Sequence, residues 1–238
     1  MDLKETEILG SAIDTHWYYQ AKARAMLSLL GKGNIDKVLD VGAGAAFFSK
    51  YLLRHAHTKE VTCVDIGYSS DIDGLEFGKK ILYRRAIGHI DANLVLLMDV
   101  LEHVDSDVAL LRDYVAKVPK GTRFLITVPA FSFLWSEHDD YLEHKRRYTL
   151  RMLEDVTRAC SLKIERSGYI FGSVFPIALL TRLIGNLQKK PTSEPKSQLK
   201  VHHPLVNKVL ASLCALEFPL IKYNRVFGLS VYCVAISR

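Results

Sequence analysis

The fold is decided near the start of the chain by Val38-Leu39-Asp40-Val41-Gly42-Ala43-Gly44-Ala45-Ala46. An apolar run carries an acidic residue near its end, two glycines follow one residue apart, and small residues lead into a helix-like segment. This order predicts a strand, a tight turn and a helix, because glycine backbones allow such a turn and let N–H groups approach a ligand closely. Ala45 and Ala46 let the new helix pack tightly on the sheet.

A second apolar run, Val61-Thr62-Cys63-Val64-Asp65, also ends in a carboxylate. An acid at this point suits a bidentate hold on the two hydroxyls of a ribose. The third glycine of a dinucleotide fingerprint is replaced by Phe47, and Asp40 would repel a pyrophosphate while favouring a cationic group. The two runs therefore predict a nucleoside-containing cofactor with a cationic end.

The composition is that of a folded chain with one core. The chain has 238 residues, of which 49% are hydrophobic, so one elaborated domain is expected rather than two. Its net charge of +6 is dispersed and is most simply a solvated surface. The polar N-terminus predicts no secretory signal. Dispersed cysteines in apolar contexts predict buried free thiols in a cytoplasmic protein, at Cys63, Cys160, Cys214 and Cys233.

Strand and helix patterns alternate along the chain. Apolar runs predict seven strands, at residues 37–41, 61–65, 81–84, 93–98, 122–128, 162–170 and 229–236. Helices are expected between them, including one in the short stretch after the polar loop 67–74. This alternation predicts an α/β fold with a doubly wound, mostly parallel sheet, whose ligands bind outside the carboxyl ends of the strands.

We expect a single domain, 1–238, with four parts. These are an N-terminal helical cap (1–33), a cofactor-binding core (34–170), a helical insertion (171–228) and a final strand (229–238). The cap contains an aromatic cluster around Trp17 and Tyr18. Because a cluster that precedes the first strand has no place in the sheet, we expect this helix either to cover the cofactor as a lid or to pack its aromatic residues on the core.

The turn at residues 40–44, together with Asp65, resembles motif I and the ribose acid of the class I S-adenosylmethionine-dependent methyltransferases. The resemblance implies a seven-stranded sheet of order 3-2-1-4-5-7-6 with the last-formed strand antiparallel. It also implies S-adenosylmethionine as the cofactor. The residues that would bind it are those of the first two turns and of the segment after the fourth strand, namely Asp40, Gly42, Ala43, Gly44, Asp65, Ile66, Met98, Asp99 and Val100.

The segment after the fourth strand reads Asp99-Val100-Leu101-Glu102-His103-Val104. It lacks the Asn/Asp-Pro-Pro-Tyr/Phe motif typical of methyltransferases that modify amino groups of bases, which argues against nucleic acid as a partner. It resembles the small-molecule branch that includes the O-methyltransferases of ubiquinone biosynthesis, where a D/E-x-x-E-H pattern has been associated with a divalent cation. One helical turn would bring Asp99, Glu102 and His103 together. We nevertheless expect Glu102 and His103 to brace the site without a metal.

A polar and aromatic loop follows the fifth strand, at residues 129–148. It leaves the same sheet edge as the glycine turn, so we expect it to wall the acceptor pocket. It resembles a bacterial type 11/12 methyltransferase subfamily with the pattern "P-A-[FW]…W…H-D…H-x-R-R-Y-T", often associated with cell-surface glycan or lipid modification. The candidates for acceptor binding are Trp17, Tyr18, Phe131, Trp135, Arg147 and Tyr148. A hydroxyl acceptor needs a base of near-neutral pKa, and the candidates are His103, His138 and His144.

The insertion leaves the nature of the acceptor open. Residues 169–181 carry no charge but are too few to span a bilayer. An apolar helical stripe is expected at Val206, Val209, Leu210, Leu213, Leu216 and Leu220, opposite Asn207, Lys208, Ser212 and Glu217. The helices either close over a small-molecule site or touch a membrane that carries a lipid-linked acceptor. In the second case Lys189, Lys190 and Lys196 would meet anionic headgroups.

Two other function classes compete with methyl transfer. A nicotinamide-dependent oxidoreductase would need the third glycine that Phe47 replaces. A non-catalytic relative would keep the cofactor-binding residues without turnover. The sequence does not predict the oligomeric state.

Overall fold

The computed structural model describes residues 8–187 and 203–238, apart from positions 32 and 34, together with residue 197. Its centre is an eight-stranded sheet of order β3-β4-β2-β1-β5-β6-β8-β7. The strands are β1 (Lys37–Val41), β2 (Glu60–Val64), β3 (Ile72–Glu76), β4 (Lys79–Arg84), β5 (Leu94–Met98), β6 (Arg123–Pro129), β7 (Leu162–Ile170) and β8 (Ser230–Ser237). The five strands β4-β2-β1-β5-β6 are mutually parallel, and β3 and β8 run antiparallel to their neighbours.

Within this sheet the seven predicted strands lie in the order 3-2-1-4-5-7-6, and the last of them, β8, is antiparallel as expected. The predicted strand count is wrong, because the sheet has an additional edge strand, β3. The helix expected after loop 67–74 is wrong as well. A β3–β4 hairpin stands there, closed by Phe77 and Gly78 with φ angles of 53° and 73°. Two positive φ angles fit a two-residue hairpin turn, which Phe-Gly does not signal as strongly as Asn-Gly.

Seven α-helices surround the sheet in the described part of the chain. They are α1 (Trp17–Leu30), α2 (Phe47–His55), α3 (Asp107–Ala116), α4 (Glu137–Tyr141), α5 (Leu150–Ala159), α6 (Phe175–Leu187) and α7 (Pro204–Glu217). Helices α1, α2 and α7 pack on one face of the sheet, where they contribute Met26, Leu52 and Cys214 to a buried cluster. Helices α3 and α5 pack on the other face, where they contribute Leu111 and Leu153 to a second buried cluster. The parallel strands are therefore covered on both sides, as an all-apolar strand such as β5 requires.

The N-terminal helix begins later than the sequence pattern suggests. A short 3₁₀ helix, Gly10–Thr15, precedes it, and the His16 side chain accepts a hydrogen bond from the Tyr18 N–H as an N-cap. The helix packs against α7, where the Asn207 amide accepts from the Trp17 N–H at 2.7 Å and donates to the Thr15 carbonyl at 2.7 Å.

The apolar stripe and the polar positions of α7 do not separate into one buried and one exposed face. Asn207 and Glu217 face the protein, and Glu217 accepts hydrogen bonds from the N–H groups of Phe171 and Ser173. Four members of the predicted apolar stripe are instead exposed, namely Val206, Val209, Leu216 and Leu220. These two polar residues face inward because they satisfy backbone groups at the start of α1 and just after β7. The lysines at 189, 190 and 196 lie outside the described residues.

The remaining sequence-based expectations concern the thiols and membrane spans. All four cysteines are free and buried, as predicted. No described helix combines the length and the apolar character needed to cross a membrane.

The carboxyl ends of β1, β2, β5 and β6 meet at one sheet edge, so the segments that follow them lie side by side there.

Candidate functional site

The turn between β1 and α2 is held by the acid at the end of β2. The Gly44 N–H donates to Oδ2 of Asp65 at 2.8 Å, and the Gly67 N–H donates to Oδ1 at 2.8 Å. Gly42 and Gly44 have φ angles of 63° and 51°, which glycine adopts without strain. Because each carboxylate oxygen has two lone pairs, Asp65 can still accept hydrogen bonds from a ligand hydroxyl.

Asp40 is buried beneath this turn. Its Oδ2 accepts a 2.6 Å hydrogen bond from the Ser49 hydroxyl on α2. Burial raises the pKa of Asp40 to about 6. A buried carboxylate in this place is more stable as an anion when a cation lies nearby, in agreement with the sequence argument against a pyrophosphate.

Gly42 is required by its protein neighbour. A Cβ on this residue would lie 2.8 Å from a methyl carbon of Val100, and the φ of +63° disfavours any L side chain. The sequence alone suggests that a side chain here would fill the space of the ligand. The structure adds a cause within the protein, because the first atom met belongs to Val100.

The other predicted cofactor residues have contrasting environments. Ala43 and Met98 are buried, and Val100 is half-buried against Gly42. Ile66 is 89% exposed, directly after Asp65 at the rim of the sheet edge. An apolar side chain with this exposure is accessible to a planar ring of a ligand.

Lys22, on α1, is a site residue that sequence reasoning missed. Its ammonium group is completely buried and forms an ion pair with Asp99, which also accepts from the Thr127 hydroxyl at 3.2 Å. Burial opposes the charge, but Asp99 and Tyr18 raise the pKa of Lys22 above its usual range. The pair connects the N-terminal helix to the segment after β5. The only signal in the sequence was that Lys22 lies one turn after Tyr18, on the same helix face.

Aromatic contacts join α1 to the residue after β7 and to the start of α2. Tyr18 stacks on Phe171 with ring centroids 5.1 Å apart, and Trp17 meets the same ring edge-on at 6.3 Å. Tyr19 contacts Phe47, the first residue of α2, at 5.5 Å. The aromatic cluster that precedes the first strand therefore packs between Phe171, just after β7, and the start of α2.

Asp139 organises the loop after β6. It is completely buried and binds the Arg147 guanidinium through two hydrogen bonds of 2.7 and 2.9 Å. His144 Nδ1 lies 2.9 Å from Oδ1 of the same carboxylate. Burial alone would raise the pKa of Asp139. The hydrogen bonds from His144 and Arg147 outweigh this effect and hold that pKa well below its usual range. Asp139 was not among the sequence candidates, because its partners lie five and eight residues later in a loop without regular periodicity.

Several predicted acceptor-binding residues have protein partners. Tyr148 is buried, and its hydroxyl donates to Asp107 at 2.8 Å. Arg147 donates to the Ala130 carbonyl as well as to Asp139. The Trp135 indole N–H donates to Asp140 at 2.8 Å. These polar groups stabilise the loop itself. Phe131 stacks between Phe133 and Tyr169, each with ring centroids 5.0 Å away, and forms an aromatic wall.

Two of the three candidate histidines lie together. The rings of His103 and His144 meet edge-to-face with centroids 4.7 Å apart, and Glu102 joins them in a group of three potential metal ligands. Burial and the neighbouring Asp99 raise the pKa of Glu102 well above its usual range. His138 has a different environment, 3.4 Å from the Ser197 hydroxyl. Sequence spacing groups Asp99 with Glu102 and His103 as possible metal ligands. In the structure His144 takes the place of Asp99 in this group, and Asp99 pairs with Lys22 instead.

Comparison with known proteins identifies the fold. No protein-family model matches the chain, and no curated protein matches its sequence. Phosphoethanolamine N-methyltransferase 2 from Haemonchus contortus, solved with S-adenosyl-L-methionine, superposes with a TM-score of 0.55 at 16% identity, over 91% of this chain and 52% of that one. A SAM-dependent methyltransferase from Archaeoglobus fulgidus gives a TM-score of 0.53 at 14% identity, over 92% and 93%.

A third solved structure, the [4+2]-cyclase SpnF, gives a TM-score of 0.55 at 12% identity, over 92% of this chain and 82% of that one. At these identities the likeness shows a shared fold. The chain has the fold of S-adenosylmethionine-dependent methyltransferases, and that fold also occurs in a protein named for a cyclisation.

Proposed function

We propose that this protein transfers a methyl group from S-adenosylmethionine to a small-molecule or a lipid- or glycan-linked acceptor. The observation that carries the proposal is the hydrogen bond from Gly44 to Asp65, which joins the glycine turn to a carboxylate at the end of the neighbouring strand. The Haemonchus contortus enzyme of the same fold was solved with this cofactor, which supports the choice. The resemblance of the 129–148 loop to the type 11/12 subfamily supports the acceptor class.

The cofactor fits the residues at this edge. Asp65 would hold the ribose hydroxyls, and the backbone of Gly42, Ala43 and Gly44 would approach the ligand closely. The buried Asp40 carboxylate would favour the cationic methionine portion. Ile66 and the segment at residues 98–100 would contact the nucleoside. When bound, S-adenosylmethionine supplies a methyl group that is already activated by its positively charged sulfur.

Deprotonation of the acceptor would fall to the pair formed by His103 and His144. Asp139 fixes the ring of His144 through Nδ1, which leaves Nε2 as the nitrogen that could take a proton, and this pairing with a carboxylate is typical of catalytic histidines. We therefore favour this pair over His138. Trp17, Tyr18 and Phe131 would exclude water and position the acceptor, while Arg147, Tyr148 and Trp135 would keep the loop rigid.

The competing function classes are separated by one experiment. Purified protein is incubated with methyl-labelled S-adenosylmethionine and extract fractions, and the transfer of label to small molecules and to lipids is measured. Absorbance of a nicotinamide cofactor is recorded in parallel. We expect label in an extractable acceptor and no change in absorbance. Binding of the cofactor without transfer would favour a non-catalytic relative, and a nicotinamide-dependent absorbance change would favour the oxidoreductase.

A peripheral membrane contact by α7 is a second proposal, which the exposed apolar side chains favour. Val206, Val209, Leu216 and Leu220 are exposed on α7 and just beyond it. The chain is basic overall, and three lysines at positions 189, 190 and 196 precede this helix in the sequence. Apolar side chains that enter the interface, with nearby lysines on anionic headgroups, would bring the site to a lipid-linked acceptor.

A further inference from the structure

Glu102 is a buried acid without an evident partner. It lies in the short 3₁₀ helix Leu101–His103 that follows β5, and it is completely buried. Neither of its carboxylate oxygens has a hydrogen-bond partner among the residues that the structure describes. Because a buried carboxyl group without a hydrogen-bond partner or a cation is disfavoured whether it is protonated or ionised, these two oxygens point to a missing ligand.

Two imidazoles converge on this carboxylate. One ligand atom each from Glu102, His103 and His144 lie within 4.8 Å of one another. The two rings stand at 83° to each other. Around a tetrahedral zinc ion the ligand atoms are separated by about 3.4 Å, as bond lengths of about 2.1 Å require. The three side chains therefore form an open version of such a site, and small rotations would close it.

The ring of His144 is held as a metal-bound histidine usually is. Its Nδ1 lies 2.9 Å from Oδ1 of Asp139, which leaves Nε2 as the nitrogen for a metal. Metal-binding histidines commonly donate their second ring N–H to a carboxylate, which fixes the ring orientation. Asp139 is itself fixed by the two hydrogen bonds from Arg147.

The cations near the cluster are paired with other acids. Lys145 pairs with Asp105, Arg146 with Asp107, and Arg147 with Asp139. Lys22 pairs with Asp99. None of these contacts satisfies Glu102, so a further positive charge at its oxygens is consistent with the charge balance of the region.

We propose that Glu102, His103 and His144 bind one divalent transition-metal ion of the Zn²⁺ or Co²⁺ type. Two imidazoles and one carboxylate favour such ions over Mg²⁺ or Ca²⁺, which prefer oxygen ligands. This inference replaces the expectation that Glu102 and His103 only brace the site. It also differs from the Asp99-Glu102-His103 set that the sequence spacing suggests, because Asp99 is occupied by Lys22 and His144 comes from the loop after β6.

A role for the ion rests on the proposed methyl transfer, whereas its binding does not. Bound to an acceptor hydroxyl, the ion would lower the pKa of that hydroxyl, which then loses its proton to solvent. The acceptor oxygen forms the new bond to the methyl carbon, and the sulfur leaves with the electron pair of the broken C–S bond as a neutral thioether. The ion would then replace a free histidine as the activating group.

The binding test uses the full-length, tag-free protein after removal of metals with a chelator. Zn²⁺ alone is titrated calorimetrically, and Co²⁺ alone is followed by its visible absorption, both without S-adenosylmethionine. We expect one ion per chain. Glu102→Gln and His144→Ala should each weaken binding at least tenfold and remove the Co²⁺ absorption. His89→Ala, which removes an exposed histidine outside the cluster, is the matched control and should bind as the parent does.

The outcomes separate this inference from the proposed function. Circular dichroism checks the fold of each variant, and His103→Ala replaces Glu102→Gln if the latter does not fold. Absence of stoichiometric Zn²⁺ and Co²⁺ binding overturns the metal site, as does equal binding by Glu102→Gln and His144→Ala. Unchanged transfer of labelled methyl by the metal-free protein overturns only the role of the ion. Stoichiometric binding without any methyl transfer supports the metal site and counts against the proposed function.

Discussion

Tyr18 stacks on Phe171 with ring centroids 5.1 Å apart, and this contact joins the N-terminal helix to the end of β7. The Tyr18 hydroxyl also accepts a 3.1 Å hydrogen bond from Lys22, which pairs with Asp99 after β5. One aromatic ring thus connects the N-terminal helix to Phe171 and, through Lys22, to Asp99.

The stacked pair provides a test of the lid. Tyr18→Leu should raise the dissociation constant of S-adenosylmethionine several-fold, because the helix would lose its contact with Phe171 while α1 stays anchored by its buried residues. Calorimetry measures the affinity, and thermal unfolding measures stability. Tyr114→Leu, at a half-buried tyrosine of α3, serves as the control. Equal affinities of Tyr18→Leu and the parent protein would remove the lid role.

Gly42 offers a test of the turn geometry. Gly42→Ala should destabilise the protein by about 1–2 kcal/mol, because an L residue is disfavoured at φ +63°. The overlap with Val100 adds to this cost, so Gly42→Ala combined with Val100→Ala should recover part of it. Urea denaturation gives the free energy of unfolding. Gly88→Ala, where nothing lies within 4 Å of the added Cβ, should be close to neutral. A double variant no better than Gly42→Ala would rule out the Val100 contact as a cause.

Asp40 predicts a dependence of stability on pH. Burial raises its folded-state pKa to about 6, so the folded protein binds this proton more tightly than the unfolded chain does. The free energy of unfolding should therefore fall as pH rises from 4 to 7, relative to Asp40→Asn, by about 2–3 kcal/mol. Urea denaturation at each pH measures it, with Asp113→Asn on the surface as the control. Parallel profiles for the parent and Asp40→Asn would exclude the shift.

The same carboxylate predicts how cofactor affinity changes. Only the ionised form of Asp40 attracts a cation, so the affinity for S-adenosylmethionine should rise between pH 5 and 7 in the parent protein and stay flat in Asp40→Asn.

Exposed residues of α7 allow a test of membrane contact. The parent protein should sediment with anionic liposomes at low salt and dissociate as salt is added. Replacement of Val209 and Leu216 by Ser should weaken this binding, because it removes apolar area from the contact. Leu75→Ser in the β3–β4 hairpin is matched in exposure, 73% against 75% for Leu216, and should have no effect. Failure of the parent to sediment at low salt would leave α7 only a role in covering the fold.

The sequence predicts the order of seven strands because local signals carry that information. Two glycines mark the first turn, and continuous apolar runs such as β5 indicate buried parallel strands. The hairpin at Phe77 and Gly78 was missed, because its turn has no strong residue signal and its edge strand is half-exposed. Residue patterns predict strands and turns from neighbouring residues. They do not predict a turn such as Phe77-Gly78, whose residue types do not indicate a hairpin strongly.

The candidate site was harder to predict because its contacts join distant segments. The buried charge of Lys22 is compensated by Asp99, which is 77 residues away in the sequence and next to Lys22 in space. The inward position of Asn207 and Glu217 on α7 follows only from the fold, since they satisfy backbone groups near α1 and β7 that periodicity does not reveal. The sequence offers His103, His138 and His144 as separate candidates for a base. That His103 and His144 lie together, and that Asp139 orients His144, follows only from the fold.

The central claim is tested most directly by calorimetric titration of S-adenosylmethionine into the parent protein and into Asp65→Ala. Asp65 holds the Gly44 and Gly67 N–H groups and would bind the ribose, and each charge-assisted hydrogen bond contributes about 1.5–3 kcal/mol. We predict one site in the parent and an affinity at least about 100-fold lower in Asp65→Ala, with an unchanged affinity in Asp155→Ala, which alters an exposed residue of α5. Equal affinities of the parent and a folded Asp65→Ala, or no binding by the parent, would contradict the account.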